Sequence, residues 1–123
     1  MAKVLIVDDA SIMRLHIRKI LEELGHLVIA EAESGFEAVK LYKSLKPDFV
    51  TMDITMPMTN GINDGIEAVV KIKEIDANAK IIMITSHGEQ DKVIKAIKAG
   101  ANNYILKPLQ LEKFKDVINK LGV

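Results

Sequence analysis

The chain contains no cysteine. That excludes a disulfide framework, a thiol nucleophile and a cysteine-ligated zinc site. It carries no excess of either charge, because seventeen acidic and seventeen basic residues cancel. Such a balance gives no general attraction to nucleic acid or to an anionic membrane. No apolar run approaches the ~18 residues of a membrane span. Met1-Ala2-Lys3 leads straight into a short apolar stretch, too short for a secretory signal. Linkers, low-complexity tracts and a Gly-rich phosphate loop are missing as well. These absences point to a soluble cytoplasmic protein.

What is present is a regular alternation. With 123 residues, 49% of them apolar, the chain can bury one real core, and a single domain over 1–123 is expected. Residues 3–7 form a largely β-branched, apolar run that predicts a strand buried on both faces, and residues 27–30, 48–53, 80–85 and 102–106 read as further strands. Residues 11–24, 34–45, 65–75, 89–99 and 110–121 carry a helical period. In the first helix Ile12, Leu15, Ile17, Leu21 and Leu24 give the expected core stripe, with Ser11 or Asp9 as cap and Gly25 as stop. Ser34 and Glu37 have capping-box spacing, and Pro47 ends the second helix. Five βα repeats predict a doubly wound α/β fold with a parallel sheet and right-handed crossovers.

The polar residues cluster at the strand ends. The first strand runs into Asp8-Asp9, the third into Asp53, the fourth into Thr85-Ser86 and the fifth into Lys107-Pro108. In a parallel α/β sheet these carboxyl ends share one edge, where ligands bind. Adjacent carboxylates repel, and a hard divalent cation relieves the repulsion. A carboxylate beside Mg²⁺ can act as a nucleophile toward phosphorus, and an ammonium suits a phosphoryl oxygen. Each residue also has a plainer reading: Asp8, Asp9, Asp53 and Thr85 as helix caps or solvated loop groups, Lys107 as a surface lysine.

Four motifs in order, Leu5-Ile6-Val7-Asp8-Asp9, Asp53-Ile54-Thr55-Met56-Pro57, Ile84-Thr85 and Lys107-Pro108, resemble a response-regulator receiver domain of the free-standing chemotaxis (CheY) type. The resemblance covers essentially residues 2–122. It implies a flavodoxin-like (βα)5 fold with strand order 2-1-3-4-5. It implies Asp53 as phosphoacceptor, with Mg²⁺ bound by Asp9, Asp53 and the backbone carbonyl of Thr55, and by Asp8 through water. Lys107 holds a phosphoryl oxygen, Thr85 moves toward the phosphoryl group and Tyr104 swings inward behind it. The expected donor is a histidine kinase of the CheA type. With no output domain after residue 122, the expected target of this monomer is a flagellar or archaellar motor protein. An adaptor such as CheF is the alternative target that a lysine- and isoleucine-rich composition favours. A switch from 1:99 to 99:1 needs about 5.5 kcal/mol, which two or three charge-assisted hydrogen bonds of roughly 1.5–3 kcal/mol can supply. The other reading of Tyr104 is a fixed core aromatic.

The chain departs from this pattern in one loop. Met58-Thr59-Asn60-Gly61-Ile62-Asn63-Asp64 holds about four extra residues, either a tolerated insertion or a partner surface with Met58 as exposed contact. Asp64-Gly65 is the expected start of the third helix. Thr55 and His87 stand where the family tunes attack by water. Lys92, Lys95 and Lys98 form a stripe balanced by Glu89 and Asp91, and with Tyr104 they mark the expected partner surface. His16 and His26 read as structural or exposed. A phosphorelay intermediate is the alternative function. A haloacid-dehalogenase-type phosphatase lacks its second acid, because Thr55 occupies that position. A nucleotide or flavin binder would place its anion against Asp8-Asp9.

Overall fold

The structure, a computed structural model, describes residues 1–56, 61, 62 and 64–123. Ten elements alternate: β1 (Lys3–Val7), α1 (Ser11–Glu23), β2 (Leu27–Ala32), α2 (Gly35–Leu45), β3 (Phe49–Asp53), α3 (Gly65–Ile75), β4 (Ile81–Thr85), α4 (Gln90–Ala99), β5 (Asn103–Leu106) and α5 (Leu111–Leu121). The strands form one parallel sheet in the order β2-β1-β3-β4-β5. This is the flavodoxin-like architecture expected from the alternation.

Strand periodicity divides the core in two. Leu5, Val7, Val50, Met52, Ile81 and Met83 face one side and pack with Ala38, Tyr42, Ala68, Val69, Ile72 and Ala96 of α2, α3 and α4. Val4, Ile6, Phe49, Ile82, Ile84 and Ile105 face the other and pack with Ile17, Ile20, Leu21, Phe114, Val117 and Ile118 of α1 and α5. Continuous apolar strands are needed because helices cover both faces.

The first helix differs from its expected stripe. Ile12 and Leu15 are exposed, and the buried positions are Arg14, Ile17, Ile20 and Leu21. Residues 14, 17, 21 and 24 follow the three–four spacing of one helix face. Ile17, Leu21 and Leu24 lie on that face as expected, whereas Ile12 and Leu15 fall outside it because the charged Arg14 occupies its first position. Neither Ser11 nor Asp9 caps α1; Ala10 does, with no side-chain cap bond. Its C-terminus closes as expected at Gly25 (φ +88°), where the Gly25 amide donates to Glu22 and the His26 amide to Leu21. At α2 the Ser34 hydroxyl accepts from the Glu37 amide, but the Glu37 carboxylate accepts from Glu33 rather than Ser34. Asp64 caps α3 by accepting from the Glu67 amide.

Register brings the strand ends level. Val7 pairs with Met52, so Asp8 and Asp53 follow on adjacent strands. Asp53 pairs with Ile84 and Thr85 with Leu106, which puts Thr85 and Lys107 one step further along the same edge.

Candidate functional site

Asp8 is buried as it leaves β1. Its Oδ1 accepts from the Ala10 amide at 2.9 Å. Its Oδ2 is buried and, among the described residues, without a hydrogen-bond partner. The Asp8 backbone carbonyl accepts from Arg14 Nη1 at 2.7 Å, while Arg14 Nε donates to Glu31 Oε1 at 2.9 Å. Arg18 donates to the other oxygen of Glu31 at 2.8 Å. The buried cation of α1 therefore fixes the turn that carries Asp8. Sequence reasoning missed Arg14 and Glu31; the available signal was an arginine in phase with Ile17 and Leu21.

Asp53 is 7% exposed at the end of β3, and Asp9 lies exposed beside it. One oxygen from each of Asp8, Asp9 and Asp53 falls within 4.8 Å of the others. Lys107 Nζ stands 4.0 Å from Asp53 Oδ1. Burial, then the negative charge of Asp8, push the Asp53 carboxyl up to about 7 against the opposing pull of Lys107 and a backbone bond from Thr55. Asp8 is also raised, chiefly by burial. Two buried acids held above their ordinary values mark a place where a cation would be favoured. The partnerless Asp8 Oδ2, an open side at Asp9 and an all-oxygen donor set fit Mg²⁺, which retains water and takes few protein ligands.

Thr85 is buried at the end of β4, and its hydroxyl donates to Glu89 Oε1 at 3.1 Å. The same Oε1 accepts from the Ser86 amide at 2.7 Å, and Oε2 accepts from the Thr55 hydroxyl at 2.6 Å. Lys92 Nζ donates to Thr55 Oγ1 at 3.1 Å. Burial pulls the Glu89 carboxyl upward, but the bonds from Thr55, Ser86 and Thr85 outweigh it and hold the group below its ordinary value. Glu89 was expected only to balance the lysine stripe. The Ser86-x-x-Glu89 spacing of a capping box was the signal for a different role.

The remaining candidates separate. Tyr104 is 46% exposed, which rules out a fixed core aromatic. It lines a groove of about 560 Å³ with Thr85, Ile94, Ile97, Lys98 and Leu106. Lys95 and Lys98 are exposed, whereas Lys92 is turned to Thr55. His87 is exposed. His16 is exposed on α1, and His26 accepts from the Ala2 amide at 3.0 Å and meets Phe49 edge-on. Met58 lies outside the described residues, as do Pro57, Thr59, Asn60 and Asn63. Ile62 of the inserted loop is buried in the core.

Residues 4–119 match the family described as response regulator receiver domain. The chain is 50% identical to the chemotaxis protein CheY of Thermotoga maritima, covering 98% of this chain and 97% of that protein. It is 52% identical to the CheY of Bacillus subtilis, covering 96% and 95%. The chain belongs to the response-regulator receiver family, of the CheY-like chemotaxis type. A receiver domain of this type is a signalling domain of two-component systems rather than a conventional enzyme. Its fold is also that of a CheY crystallised with CheX, BeF3 and Mg²⁺ from Borrelia burgdorferi (TM-score 0.89, 36% identity, 98% of this chain and 89% of that one). Receiver domains bind Mg²⁺ at an acidic pocket, and Asp8, Asp9 and Asp53 form an acidic cluster here. Among the described residues no helix is long and apolar enough to cross a membrane.

Proposed function

We propose that this chain is a cytoplasmic chemotaxis regulator switched by phosphorylation of Asp53. The observation that carries the reading is the raised, cation-flanked carboxylate of Asp53 beside Asp8 and Asp9. Asp9, Asp53 and the backbone carbonyl of Thr55 would hold Mg²⁺, with Asp8 acting through water. When bound, the ion neutralises charge on the phosphoryl oxygens.

The Asp53 carboxylate oxygen attacks phosphorus, forming a P–O bond as the P–N bond of a kinase phosphohistidine breaks. The leaving imidazole takes up a proton. Lys107 holds one phosphoryl oxygen as a compact positive charge. Thr85 donates its hydroxyl to another, and the Tyr104 ring moves into the space that Thr85 vacates. Thr55 and His87 flank the site and set how readily water attacks the phosphoryl group.

A kinase of the CheA type is the proposed donor. The surface formed by Lys95, Lys98 and Tyr104 meets an acidic segment of a motor protein or of an adaptor such as CheF. The protein acts as a monomer without contact to nucleic acid or membrane. Incubation with acetyl phosphate and Mg²⁺ tests the central step. Wild type gains the mass of one phosphoryl group and Asp53→Asn gains none; equal labelling of both removes the proposal.

A further inference from the structure

Glu89 does more than begin a helix. Its two oxygens take donors from the ends of two strands, Thr55 after β3 and Thr85 and Ser86 at the end of β4, and Lys92 braces Thr55 from the first turn of α4. Glu89 is the N-cap of α4 but makes no side-chain cap bond to that helix, so its carboxylate serves the preceding loops and not the helix end. The two threonine hydroxyls run as a chain from Lys92 through Thr55 to Glu89 and back to Thr85.

A threonine hydroxyl carries one proton and can donate it to one strong acceptor at a time. In the unmodified protein that acceptor is Glu89, on the side of Thr85 where α4 begins. We propose that Glu89 is a restraining latch: by holding the Thr85 hydroxyl and bridging it to Thr55, it opposes the engagement of Thr85 with a phosphoryl group at Asp53. Glu89 is thus a positioning residue acting through Thr85. The inference rests on the reading of Asp53 as phosphoacceptor.

Linkage makes the effect measurable. An interaction made only in the unmodified state weakens the binding of any ligand that must break it. The probe is BeF3 with Mg²⁺, a phosphoryl mimic, titrated by ¹⁹F NMR into the full chain. Glu89→Ala tightens binding by about 5- to 30-fold, and Glu89→Gln, which keeps shape and one acceptor, tightens it less. The Thr85 and Tyr104 amide signals of the unliganded variants move toward their positions in the BeF3-bound wild type.

A general loss of negative charge would also favour an anion, so the Thr85→Ala background is decisive. There Glu89→Ala changes affinity by less than about 2-fold. An equal gain in both backgrounds overturns the latch, as do unchanged affinities in the folded variants. Should Glu89→Ala fail to fold, Glu89→Gln decides alone, and no tightening in it overturns the proposal. A wild type that takes up neither acetyl phosphate nor BeF3 overturns the phosphoacceptor reading and the latch together. A wild type that takes up both while its variants behave identically overturns the latch only.

Discussion

Lys107 Nζ reaches over the end of β4 to within 4.0 Å of Asp53 Oδ1, joining the tips of two strands that are not neighbours in the sheet. At that separation the pair is at the limit of direct contact. The ammonium is nevertheless the main positive charge acting on Asp53, and it opposes the effects of burial and of Asp8. Lys107→Met therefore raises the Asp53 carboxyl further above its ordinary value. Carboxyl ¹³C titration of the metal-free variant reads the change; a midpoint equal to or below that of wild type contradicts the electrostatic account.

The raised Asp53 carboxyl makes stability depend on pH. Its folded value of about 7 stands above the ordinary 3.8. The native state then holds the proton more tightly than the unfolded chain. The contribution is complete below about 3.8 and is lost as pH rises through about 7. Asp53→Asn fixes the neutral form. It should leave stability near wild type at pH 4 and exceed it at pH 8 by on the order of 1–4 kcal/mol. Urea unfolding of metal-free protein at both pH values measures the difference, and Mg²⁺ should narrow it at pH 8 by favouring the wild-type charge.

The strand-end chemistry was legible because the apolar ends of β1, β3, β4 and β5 break at Asp8, Asp53, Thr85 and Lys107. Asp8, Asp53, Thr85 and Lys107 could be placed on one edge from alternation alone. The start of the buried face of α1 was not legible from its apolar residues, although Ile17, Leu21 and Leu24 marked the rest of it. Ile12 and Leu15 look like core, yet the face toward the sheet begins with Arg14, whose burial depends on Glu31 from β2. Glu89 escaped notice for a related reason. Its charge has an obvious local balance in the lysines of α4, and one of its donors, Thr55, comes from the loop after β3, far away in sequence. Side-chain networks between elements leave no periodic trace.

The Arg14–Glu31–Arg18 group gives a third test. Arg14 is largely buried, and Glu31 accepts from both arginines. Burial raises the Glu31 carboxyl, but the two guanidinium groups outweigh it and hold the group below its ordinary 4.5. Glu31→Gln leaves Arg14 undercompensated and should cost about 1–3 kcal/mol at pH 7. A depressed acid stabilises above its unfolded value and loses that effect as pH falls through its folded value. The penalty should therefore shrink below about pH 4.5. Denaturant unfolding at pH 7 and pH 3.5 checks both magnitude and sign, and a penalty that grows on acidification contradicts the assignment.

Two glycines of the β3–α3 connection separate a steric demand from a conformational one. A methyl group on Gly65 would sit 2.0 Å from the backbone oxygen of Asp53 and 3.2 Å from the Ile54 Cα. Gly65 also donates its amide to the Ile54 carbonyl at 3.1 Å. No side chain can yield there, so Gly65→Ala must push α3 away from the strand end that carries the candidate phosphoacceptor. Gly61, in contrast, has no described residue within 4 Å of the position its side chain would take and only a positive φ of 81°. Gly61→Ala should cost about 1 kcal/mol, the strain of that conformation. Gly65→Ala should cost roughly 2–4 kcal/mol. It should also slow labelling by acetyl phosphate at temperatures where the variant remains folded, whereas Gly61→Ala should label as wild type does. Thermal unfolding and intact mass, run on both variants, read these outcomes. Equal behaviour of the two would mean that α3 does not need to touch the backbone of Asp53.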